Sequence, residues 1–291
     1  MSLGVALSSS PSHPTSTEEP VLPEGHTIHR LARELKRTFG GQVLAASSPQ
    51  GRFEDSAALL DGTALERTDA YGKHLFLGFT GRRWLHIHLG LYGKWTVGLR
   101  PEPAPRGALR LRLVGEDRFA DLRGPTACEL VTPVEKKLIQ TRLGPDPLRR
   151  GADPTVFLAR LTRSRAPVAA LLMDQKVVAG IGNVFRAEVL FRQQIAPYAE
   201  GQSLHPDRAG ALWVDLSALL AAGLRTGRIV TTRPQHRWRA SGRVRIEDAH
   251  YVYRRAGLPC RVCGTTIRTD LLVGRNLFWC PQCQSGQTSA G

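Results

Sequence analysis

The stretch PCRVCGTTIRTDLLVGRNLFWCPQC spans residues 259–283 and carries the most specific pattern in the chain. Cys260 and Cys263 form one Cys-x-x-Cys pair, sixteen residues follow, and Cys280 and Cys283 form the second pair. Two such pairs at this separation can place four thiolates tetrahedrally around one Zn²⁺ ion. Because four protein ligands close the coordination shell, the pattern predicts one structural zinc and not a catalytic one. Four reduced structural cysteines without a metal are the alternative, and the spacing disfavours it.

The residues between the cysteine pairs predict a two-stranded ribbon. The segments TTIRTDLLV and NLFW are typical of short strands, and Gly274-Arg275 is typical of the turn between them. At that turn the Arg275 side chain can project toward a partner. Taken alone, Arg275 is explained equally well as an ordinary solvated arginine.

The charge of the whole chain points to an anionic partner. The 291 residues are enough for two or three domains, and 40 Lys and Arg face 25 Asp and Glu, a formal net charge of +15. An excess of this size indicates a polyanion such as nucleic acid, with an arginine-rich proteome as the plain alternative. No apolar run is long enough to cross a membrane. The fifth cysteine, Cys128, stands apart, so a reducing cytoplasm fits better than a disulfide framework.

A Pro- and Gly-rich hinge, LGPDPLRRGADP (143–154), separates two regions of different texture. Downstream of it the apolar spacing is typical of helices. The helical patterns are PTVFLARLTR, APVAALLMDQ, NVFRAEVLFRQQ and HPDRAGALWVDLSALLAAGL. The basic stretch 225–245 has few aliphatic residues and is predicted to be a loop.

Upstream of the hinge we predict one helix followed by strands. In EGHTIHRLARELKRTF (24–39) the apolar residues fall on one helical face, and Gly40-Gly41 ends the helix. Pro23 suits the first helical position and Glu24 suits the first turn. From residue 42 to about 132, short aromatic and aliphatic runs separated by turn signals predict a β-sandwich or barrel.

The segment GIGN (180–183) precedes one of the predicted helices. Two glycines permit a tight turn, and the helix N-terminus that follows offers free N–H groups to a phosphate. Asn183 would cap this helix or donate to the phosphate itself. A corner where two helices pack explains the segment about as well.

Two further segments carry candidate site residues. Leu91 and Tyr92, in HLGLYGKW (88–95), lie between glycines and suit the tip of an exposed hairpin, from which an apolar side chain can enter a base stack. A buried strand residue is the alternative for Leu91. Lys73, in YGKHLF (71–76), would ordinarily be a solvated strand lysine.

Together these segments resemble the formamidopyrimidine-DNA glycosylase and endonuclease VIII family of base-excision repair enzymes. The resemblance runs in order from Pro23 to Gln284. It is carried by PEGHTIHR, YGKHLF, HLGLYG, LGPDPL, LLMDQKVVAGIGNVFRAEVLFRQQIAP and VYRRAGLPCRVCGTTI with GRNLFWCPQCQ. PEG and LYG are more similar to the endonuclease VIII branch, and PEGHTIHR is similar to its actinobacterial members.

The resemblance implies an α+β fold with an N-terminal helix and β-sandwich, then a helical (helix–two-turns–helix) domain with a zinc finger. It implies domains at 23–142, 150–250 and 251–284. Residues 1–22 are then a disordered extension or a misassigned start, and 285–291 are a tail. The implied partner is double-stranded DNA that contains oxidised bases or abasic sites, bound by a monomer in the cytoplasm, at the nucleoid.

The resemblance also implies roles for individual residues. Pro23 matches the N-terminal proline whose amine attacks C1′ of the damaged nucleotide, and Glu24 matches the acid that protonates the sugar. Lys73 matches a lysine that contacts phosphate and assists elimination. Arg275 and Asn183 match the pair that grips the phosphates on either side of the flipped nucleotide. Leu91, with Tyr92 beside it, matches the residues that fill the gap left by that nucleotide. Arg123 matches a further DNA-contacting arginine by a looser alignment.

Pro23 raises a chemical difficulty, because a proline inside a chain has no free amine. Its nitrogen is a planar tertiary amide and cannot form an imine. A misassigned start is the explanation we favour, since a leucine codon at Leu22 can serve as an initiator whose methionine is then trimmed. Proteolytic removal of the extension and a true loss of activity are the alternatives.

Three functions compete at this stage. The first is a bifunctional glycosylase and abasic-site lyase acting by β,δ-elimination, and the second is a non-catalytic binder of damaged DNA on the same scaffold. A zinc-ribbon transcription accessory protein is the third, but it leaves Lys73 and GIGN unexplained. The branch resemblance, and the absence of a Gly-Gly-Thr-Thr pattern in 225–245, predict oxidised pyrimidines such as thymine glycol over 8-oxoguanine.

Overall fold

The computed structural model describes residues 23–285. The predicted extension 1–22, and all but the first residue of the predicted tail, lie outside the described residues. The helices are α1 (Gly25–Phe39), α2 (Glu54–Leu60), α3 (Pro133–Thr141), α4 (Thr155–Thr162), α5 (Val168–Leu171), α6 (Asn183–Arg192) and α7 (Pro206–Thr226). The strands are β1 (Val43–Ser47), β2 (Thr63–Tyr71), β3 (His74–Phe79), β4 (Arg83–His88), β5 (Lys94–Leu99), β6 (Leu109–Val114), β7 (Arg118–Arg123), β8 (Ala127–Val131), β9 (Arg268–Leu272) and β10 (Arg275–Trp279).

The N-terminal strands form a sandwich of two four-stranded halves joined by β1. The strand order is β5-β7-β6-β1-β2-β3-β4-β8. The first residues of β1, Val43 and Leu44, pair with β2, and the last three pair with β6. Apolar side chains from both halves share one core under α1, among them Leu77 and Leu85 from one half and Leu113 and Leu122 from the other. The predicted α+β fold with an N-terminal helix and β-sandwich is confirmed.

Helix α1 buries the apolar face that its spacing predicts. Ile28, Leu31, Ala32, Leu35 and Phe39 are all buried. These side chains attach the helix to the sandwich core.

The start of α1 differs from the prediction, because the helix begins at Gly25 and neither Pro23 nor Glu24 is helical. Glu24 is the N-cap residue, with an extended backbone at φ −111° and ψ 172°. The cause is tertiary, because the Glu24 side chain is bound to α6, as described below, and does not serve the first turn of its own helix.

Two helices interrupt or follow the region predicted as strands. Helix α2 lies between β1 and β2 and buries only Ala57 and Leu60. Its seven residues are too few for the helical spacing of apolar side chains to be recognised in the sequence. Helix α3 has a local signal that could have been recognised. The Thr132 side chain accepts from the Glu135 N–H, the Glu135 carboxylate accepts from the Thr132 N–H, and Pro133 opens the helix.

The C-terminal helices pack around a second core and carry the ribbon. Phe157, Phe185, Leu216 and other buried side chains of α4 to α7 form this core, which also takes in Leu277 from β10. Residues 227–250 after α7 are irregular apart from one short 3-10 turn at Pro234–His236. No helix within residues 23–285 is both long enough and apolar enough to cross a bilayer.

Candidate active site

One cavity lies where the two halves of the chain meet. Its volume is about 320 Å³, and it is lined by the start of α1, the β2–β3 turn, the start of α6 and the ribbon turn. The predicted site residues that line it are Pro23, Glu24, Lys73, Leu91, Asn183 and Arg275. Met173, Tyr253, Arg254, Asn276 and Phe278 also line it, and none of them was predicted as a site residue. All five lie in segments that carry the family resemblance, but nothing within those segments distinguishes them as site residues.

Glu24 is buried, with 1% of its surface exposed, and it caps α6 across the domain interface. Its two carboxylate oxygens accept from the Gly182 N–H at 2.9 Å and from the Val184 N–H at 2.8 Å. A carboxylate is favoured at a helix N-terminus, which carries a partial positive charge. These two amides are therefore bonded to Glu24 and are not free for a phosphate.

Burial is the main influence on the acidity of Glu24. It raises the pKa of the carboxyl above its ordinary value, because removal from water disfavours the charged form. The charge of Lys73 and the N–H bonds from Val184 and Gly182 act in the opposite direction. The net direction is upward, so Glu24 holds a proton at higher pH than an exposed glutamate.

Lys73 is placed by a two-residue turn. Tyr71 and His74 pair across β2 and β3, so Gly72 and Lys73 form the whole connection. Gly72 has φ +56°, a conformation that favours glycine. Burial lowers the pKa of the half-buried Lys73 below its ordinary value, Glu24 opposes this, and Arg275 adds to it. The lysine therefore releases its proton at lower pH than a solvated one.

The GIGN segment packs directly against the N-terminal half of the chain. The Gly25 N–H donates to the Gly180 carbonyl at 2.7 Å, and a Cβ on Gly25 would lie 2.9 Å from the Gly180 Cα. A Cβ on Gly182 would lie 2.4 Å from the Glu24 Cδ. Both distances are too short for a side chain, so these glycines let Glu24 reach the start of α6. This agrees with the packing-corner interpretation of the segment.

Asn183 and Arg275 both line the cavity. Asn183 is the first residue of α6 and does not cap it, since its side-chain amide donates to the Asn276 carbonyl at 2.9 Å. Arg275 opens β10 directly after the two-residue turn Val273-Gly274, because Leu272 pairs with Arg275 across the ribbon. This register places Arg275 at the ribbon tip beside the cavity.

The predicted hairpin around Leu91 and Tyr92 is not a hairpin. Strand β4 pairs with β3 and β8, and β5 pairs with β7, so residues 89–93 cross from one half of the sandwich to the other. Strand order depends on partners distant in sequence, which is why adjacency along the chain misled the prediction. Leu91 is 39% exposed and lines the cavity, whereas Tyr92 is 87% exposed and does not line it.

Arg123 lies outside the cavity. It ends β7, and its guanidinium donates to Asp121 at 2.9 Å, beside the buried Arg112–Asp121 pair. It is nonetheless close to the 89–93 loop, because a Cβ on the next residue, Gly124, would lie 3.4 Å from the Tyr92 carbonyl oxygen. Its side chain is in a local ion pair.

The four ribbon cysteines form one cluster. Their sulfur atoms all lie within 4.8 Å of one another, with Cys260 to Cys283 at 3.8 Å and Cys263 to Cys280 at 3.5 Å. Four thiolates tetrahedrally around zinc at about 2.3 Å would be separated by about 3.8 Å, so the cluster fits a structural metal of this kind. The side chain of Gln284 ties the cluster to the helical domain, accepting from the Cys280 N–H and donating to the Ile195 carbonyl.

Asp146 is a further residue that the sequence analysis did not single out. It is 2% exposed, and one of its oxygens accepts from His29 at 2.7 Å and from the Gly72 N–H at 2.8 Å. Its other oxygen accepts from the Leu148 N–H. Asp146 therefore joins α1, the turn that carries Lys73, and the hinge. An acid between two prolines in LGPDPL was the only available signal.

Three family matches together cover most of the chain. Residues 22–128 match the formamidopyrimidine-DNA glycosylase N-terminal domain, and residues 143–235 match the H2TH domain of the same glycosylase. Residues 257–286 match a zinc finger found in FPG and IleRS.

Individual proteins give the same picture. Endonuclease 8 1 of Mycobacterium tuberculosis is 50% identical over 268 residues, which are 91% of this chain and 100% of that protein. A formamidopyrimidine-DNA glycosylase of Thermus thermophilus is 32% identical over 272 residues, 91% of this chain and 98% of its own. A crystal structure of the Fpg protein from Thermus thermophilus superposes with a TM-score of 0.73 at 30% identity, covering 90% of this chain and 99% of that one. A Lactococcus lactis Fpg variant bound to Fapy-dG DNA has a TM-score of 0.77 at 23% identity, covering 91% and 100%, and shares the fold.

Proposed function

The chain belongs to the formamidopyrimidine-DNA glycosylase and endonuclease VIII family of DNA-repair glycosylases, and from that premise we propose that it both removes oxidised bases and cleaves the abasic strand. The observation that carries the proposal is the shared cavity of Pro23, Glu24, Lys73 and Arg275. A nucleophile, a buried acid, a lysine of lowered pKa and an arginine are the groups that such a reaction needs in one place.

In the proposed reaction the Pro23 amine attacks C1′ of the damaged nucleotide. A bond forms between nitrogen and C1′, the glycosidic bond breaks, and the base leaves with a proton. Glu24 protonates the sugar ring oxygen, which opens the ring and leaves a covalent iminium. Loss of a C2′ proton then expels the 3′ phosphate, and a second elimination expels the 5′ phosphate, with Lys73 assisting. Arg275 and Asn183 hold the phosphates on either side.

This chemistry requires a secondary amine at Pro23, so we propose that the active form begins at that residue. Inside a longer chain the same nitrogen is an amide with a delocalised lone pair. The start of the N-terminal family match at residue 22 supports the proposal.

Borohydride trapping tests the nucleophile. A chain that starts at Pro23 should yield a reduced covalent adduct with a duplex that contains an abasic site, and the 1–291 chain should yield none. If neither chain forms an adduct although both bind the duplex, the protein is a non-catalytic binder of damaged DNA. Glu24→Gln should still form the adduct at a preformed abasic site, whose aldehyde is already ring-opened in part, but should release no base.

We propose oxidised pyrimidines as the preferred lesions. Similarity to Endonuclease 8 1 at 50% identity supports the endonuclease VIII branch. A panel of duplexes with thymine glycol, dihydrouracil or 8-oxoguanine opposite their usual partners tests this under single-turnover conditions. A higher rate on 8-oxoguanine opposite cytosine would refute the preference.

Leu91 is proposed as the side chain that fills the space of the flipped nucleotide, since it is exposed on the cavity wall of a basic protein. Leu91→Ala should slow base release at least tenfold while nonspecific affinity for undamaged duplex, which depends on phosphate contacts, stays within twofold. Leu99→Ala is the control, because Leu99 is 64% exposed and does not line the cavity. If the rate of base release and the affinity for undamaged duplex fall together in Leu91→Ala, Leu91 only supports the fold.

The four clustered cysteines are proposed to hold one Zn²⁺, which would supply structural support for the ribbon and take no part in the reaction. The protein is proposed to act as a monomer on double-stranded DNA.

A further inference from the structure

Arg186 is a fully buried arginine on α6, with none of its surface exposed. Its hydrogen-bond partners are the carbonyls of Leu272 and Asn276 and the side-chain oxygen of Asn183. None of these three groups carries a charge. Among residues 23–285 no ion pair involves Arg186, and its Nε atom has no hydrogen-bond partner. Burial of a cation costs free energy unless hydrogen bonds or an opposite charge compensate for the loss of water, because burial penalises the charged form.

The two carbonyls lie on either side of the ribbon turn. Leu272 is the last residue of β9, Asn276 is the second residue of β10, and between them lie only Val273, Gly274 and Arg275. Arg186 donates from Nη1 to the first carbonyl at 3.4 Å and from Nη2 to the second at 3.1 Å. The planar fork of the guanidinium therefore holds the base of the turn that carries Arg275 at two points in a fixed geometry, which the compact ammonium on the flexible stem of a lysine lacks.

The same guanidinium also orients Asn183. The Nη2 atom donates to the Asn183 side-chain oxygen, and the Asn183 amide donates to the Asn276 carbonyl at 2.9 Å. The Asn276 carbonyl thus accepts from both side chains, and the three groups form one closed network. Both Asn183 and Arg275 line the cavity, whereas Arg186 does not.

Burial lowers the pKa of Arg186 to about 10, Glu24 opposes the change, and Arg275 adds to it. The guanidinium is still charged at neutral pH, so all its N–H donors are present. Glu24 and Arg275 are the cavity residues whose charges act on the Arg186 guanidinium.

We propose that Arg186 is a positioning residue that fixes the separation between Asn183 and Arg275, and thereby the spacing of the two phosphates that the enzyme grips. This inference rests on the proposed function, because it concerns how the proposed active site holds DNA. Helix α6 and the ribbon are more than 70 residues apart in sequence, so no local chain geometry sets this separation. Arg186 acts through the two side chains and does not touch the substrate.

Tyr198 supplies a matched control. Its hydroxyl donates to Asp270 at 2.9 Å, which is also a bond between the helical domain and the ribbon. Asp270 pairs with Leu277, away from the turn, and Tyr198 is outside the cavity. Tyr198→Phe therefore removes a tie to the ribbon without releasing its tip.

The test measures binding of a duplex with a tetrahydrofuran abasic-site analogue as a function of salt, using chains that begin at Pro23. Arg186→Met should keep its metal and its fold, bind about tenfold more weakly, and reduce the slope of log affinity against log salt by about 0.9 to 1.8, as if one or two phosphate contacts were lost. Arg186→Lys keeps the charge but not the fork and should show most of the same loss of slope. Tyr198→Phe should leave the slope unchanged.

A combined variant separates positioning from folding. Adding Arg186→Met to a chain that already carries both Arg275→Ala and Asn183→Ala should cost less than twofold further affinity, because both contacts it controls are then gone. A full tenfold loss in that background, or an unchanged slope in both Arg186 variants, would overturn the inference. If Arg186→Met does not fold, Arg186→Lys decides, and wild-type behaviour in that variant refutes a role for the fork. Failure of the unsubstituted chain to bind the analogue duplex would refute the proposed function instead.

Discussion

Among the individual residues, Glu24 combines a structural contact with a proposed catalytic role. Its carboxylate caps α6 from another domain, and its burial raises its pKa, which suits a group that must donate a proton. The glycine at 182 is what makes this possible, because any side chain there would occupy the space of the Glu24 carboxylate. The same contact therefore supports both the fold and the proposed acid.

Substitution of that glycine should be damaging. In Gly182→Ala the new Cβ would lie 2.4 Å from the Glu24 Cδ, so the carboxylate must leave its position. We expect base release, followed on a lesion duplex, to fall at least tenfold. Gly210→Ala in α7 is the control, because a Cβ there meets nothing within 4 Å and should stabilise the helix by up to about 1 kcal/mol. Equal activity of the two variants would contradict this view of Glu24.

His26 should make stability depend on pH. Burial lowers the pKa of His26 to about 4, and the charge of Arg30 lowers it further by a smaller amount. In the unfolded chain the pKa of a histidine is about 6.5. Between these values the unfolded chain binds a proton that the folded chain does not, so stability falls as pH falls through this window.

Urea unfolding at pH 7.5 and pH 5.0 measures the effect. His26→Gln should reduce the loss of unfolding free energy between the two pH values by about 2 kcal/mol. His205→Gln, at an imidazole that is 70% exposed, is the control for replacing a histidine by glutamine. An identical loss in wild type and His26→Gln would show that another group is responsible.

Among the secondary-structure elements, the ribbon is a small unit held from several sides. Leu277 enters the core of the helical domain, Gln284 bonds to the Ile195 carbonyl, and Trp279 and Tyr198 share the carboxylate of Asp270. These ties attach the ribbon to the helical domain along β10, and the cysteine cluster lies at the ribbon end opposite the Val273-Gly274 turn. The position of Arg275 depends on both.

Loss of a cluster cysteine should therefore remove DNA binding without unfolding the sandwich. Cys280→Ser leaves three thiolates, and metal affinity should fall below detection in a stoichiometry measurement by mass spectrometry under native conditions. Affinity for an abasic-analogue duplex should fall at least a hundredfold, because the ribbon no longer presents Arg275. Cys128→Ser, which lies outside the cluster, should retain one metal ion and its affinity. Undiminished binding by the metal-free variant would contradict the role of the ribbon.

At the scale of the whole molecule, the core of the sandwich and the core of the helical domain meet within residues 23–285 at a polar, close-packed interface that also contains the cavity. Asp146 contributes three hydrogen bonds there, and the direct contact of Gly25 with Gly180 lets the backbones approach. The site is therefore assembled only when the two parts dock. Any loosening of the interface should affect stability and activity together.

Asp146→Asn tests this coupling. An amide nitrogen cannot accept the bonds that one carboxylate oxygen receives from His29 and Gly72. We expect a loss of about 1–3 kcal/mol in unfolding free energy by urea titration, with a lower rate of base release. Asp153→Asn is the matched control, because Asp153 is exposed and bonds only to Thr155 nearby through an oxygen that asparagine keeps. Normal activity in a destabilised Asp146→Asn variant would show that docking and catalysis are separable.

Elements with a local signal were predictable from the amino-acid order alone. The five apolar residues of α1, the helical spacing after the hinge, and the two Cys-x-x-Cys pairs each follow from periodicity or ligand spacing within a few turns of chain. Family resemblance then identified the cavity-lining residues Pro23, Glu24, Lys73, Leu91, Asn183 and Arg275 as site candidates. Arg123 and Tyr92 were named in the same way, and the structure leaves both outside the cavity lining.

How these parts are joined became visible only in three dimensions. The folded chain shows that Glu24 caps α6, that the 89–93 loop crosses between sheet halves, and that Arg186 and Asp146 tie distant segments together. The cause is the same in each case. A hydrogen bond or close contact between residues far apart in sequence produces no periodic pattern in either segment. Each of the two residues, taken in its own segment, has the features of an ordinary glycine, acid or arginine.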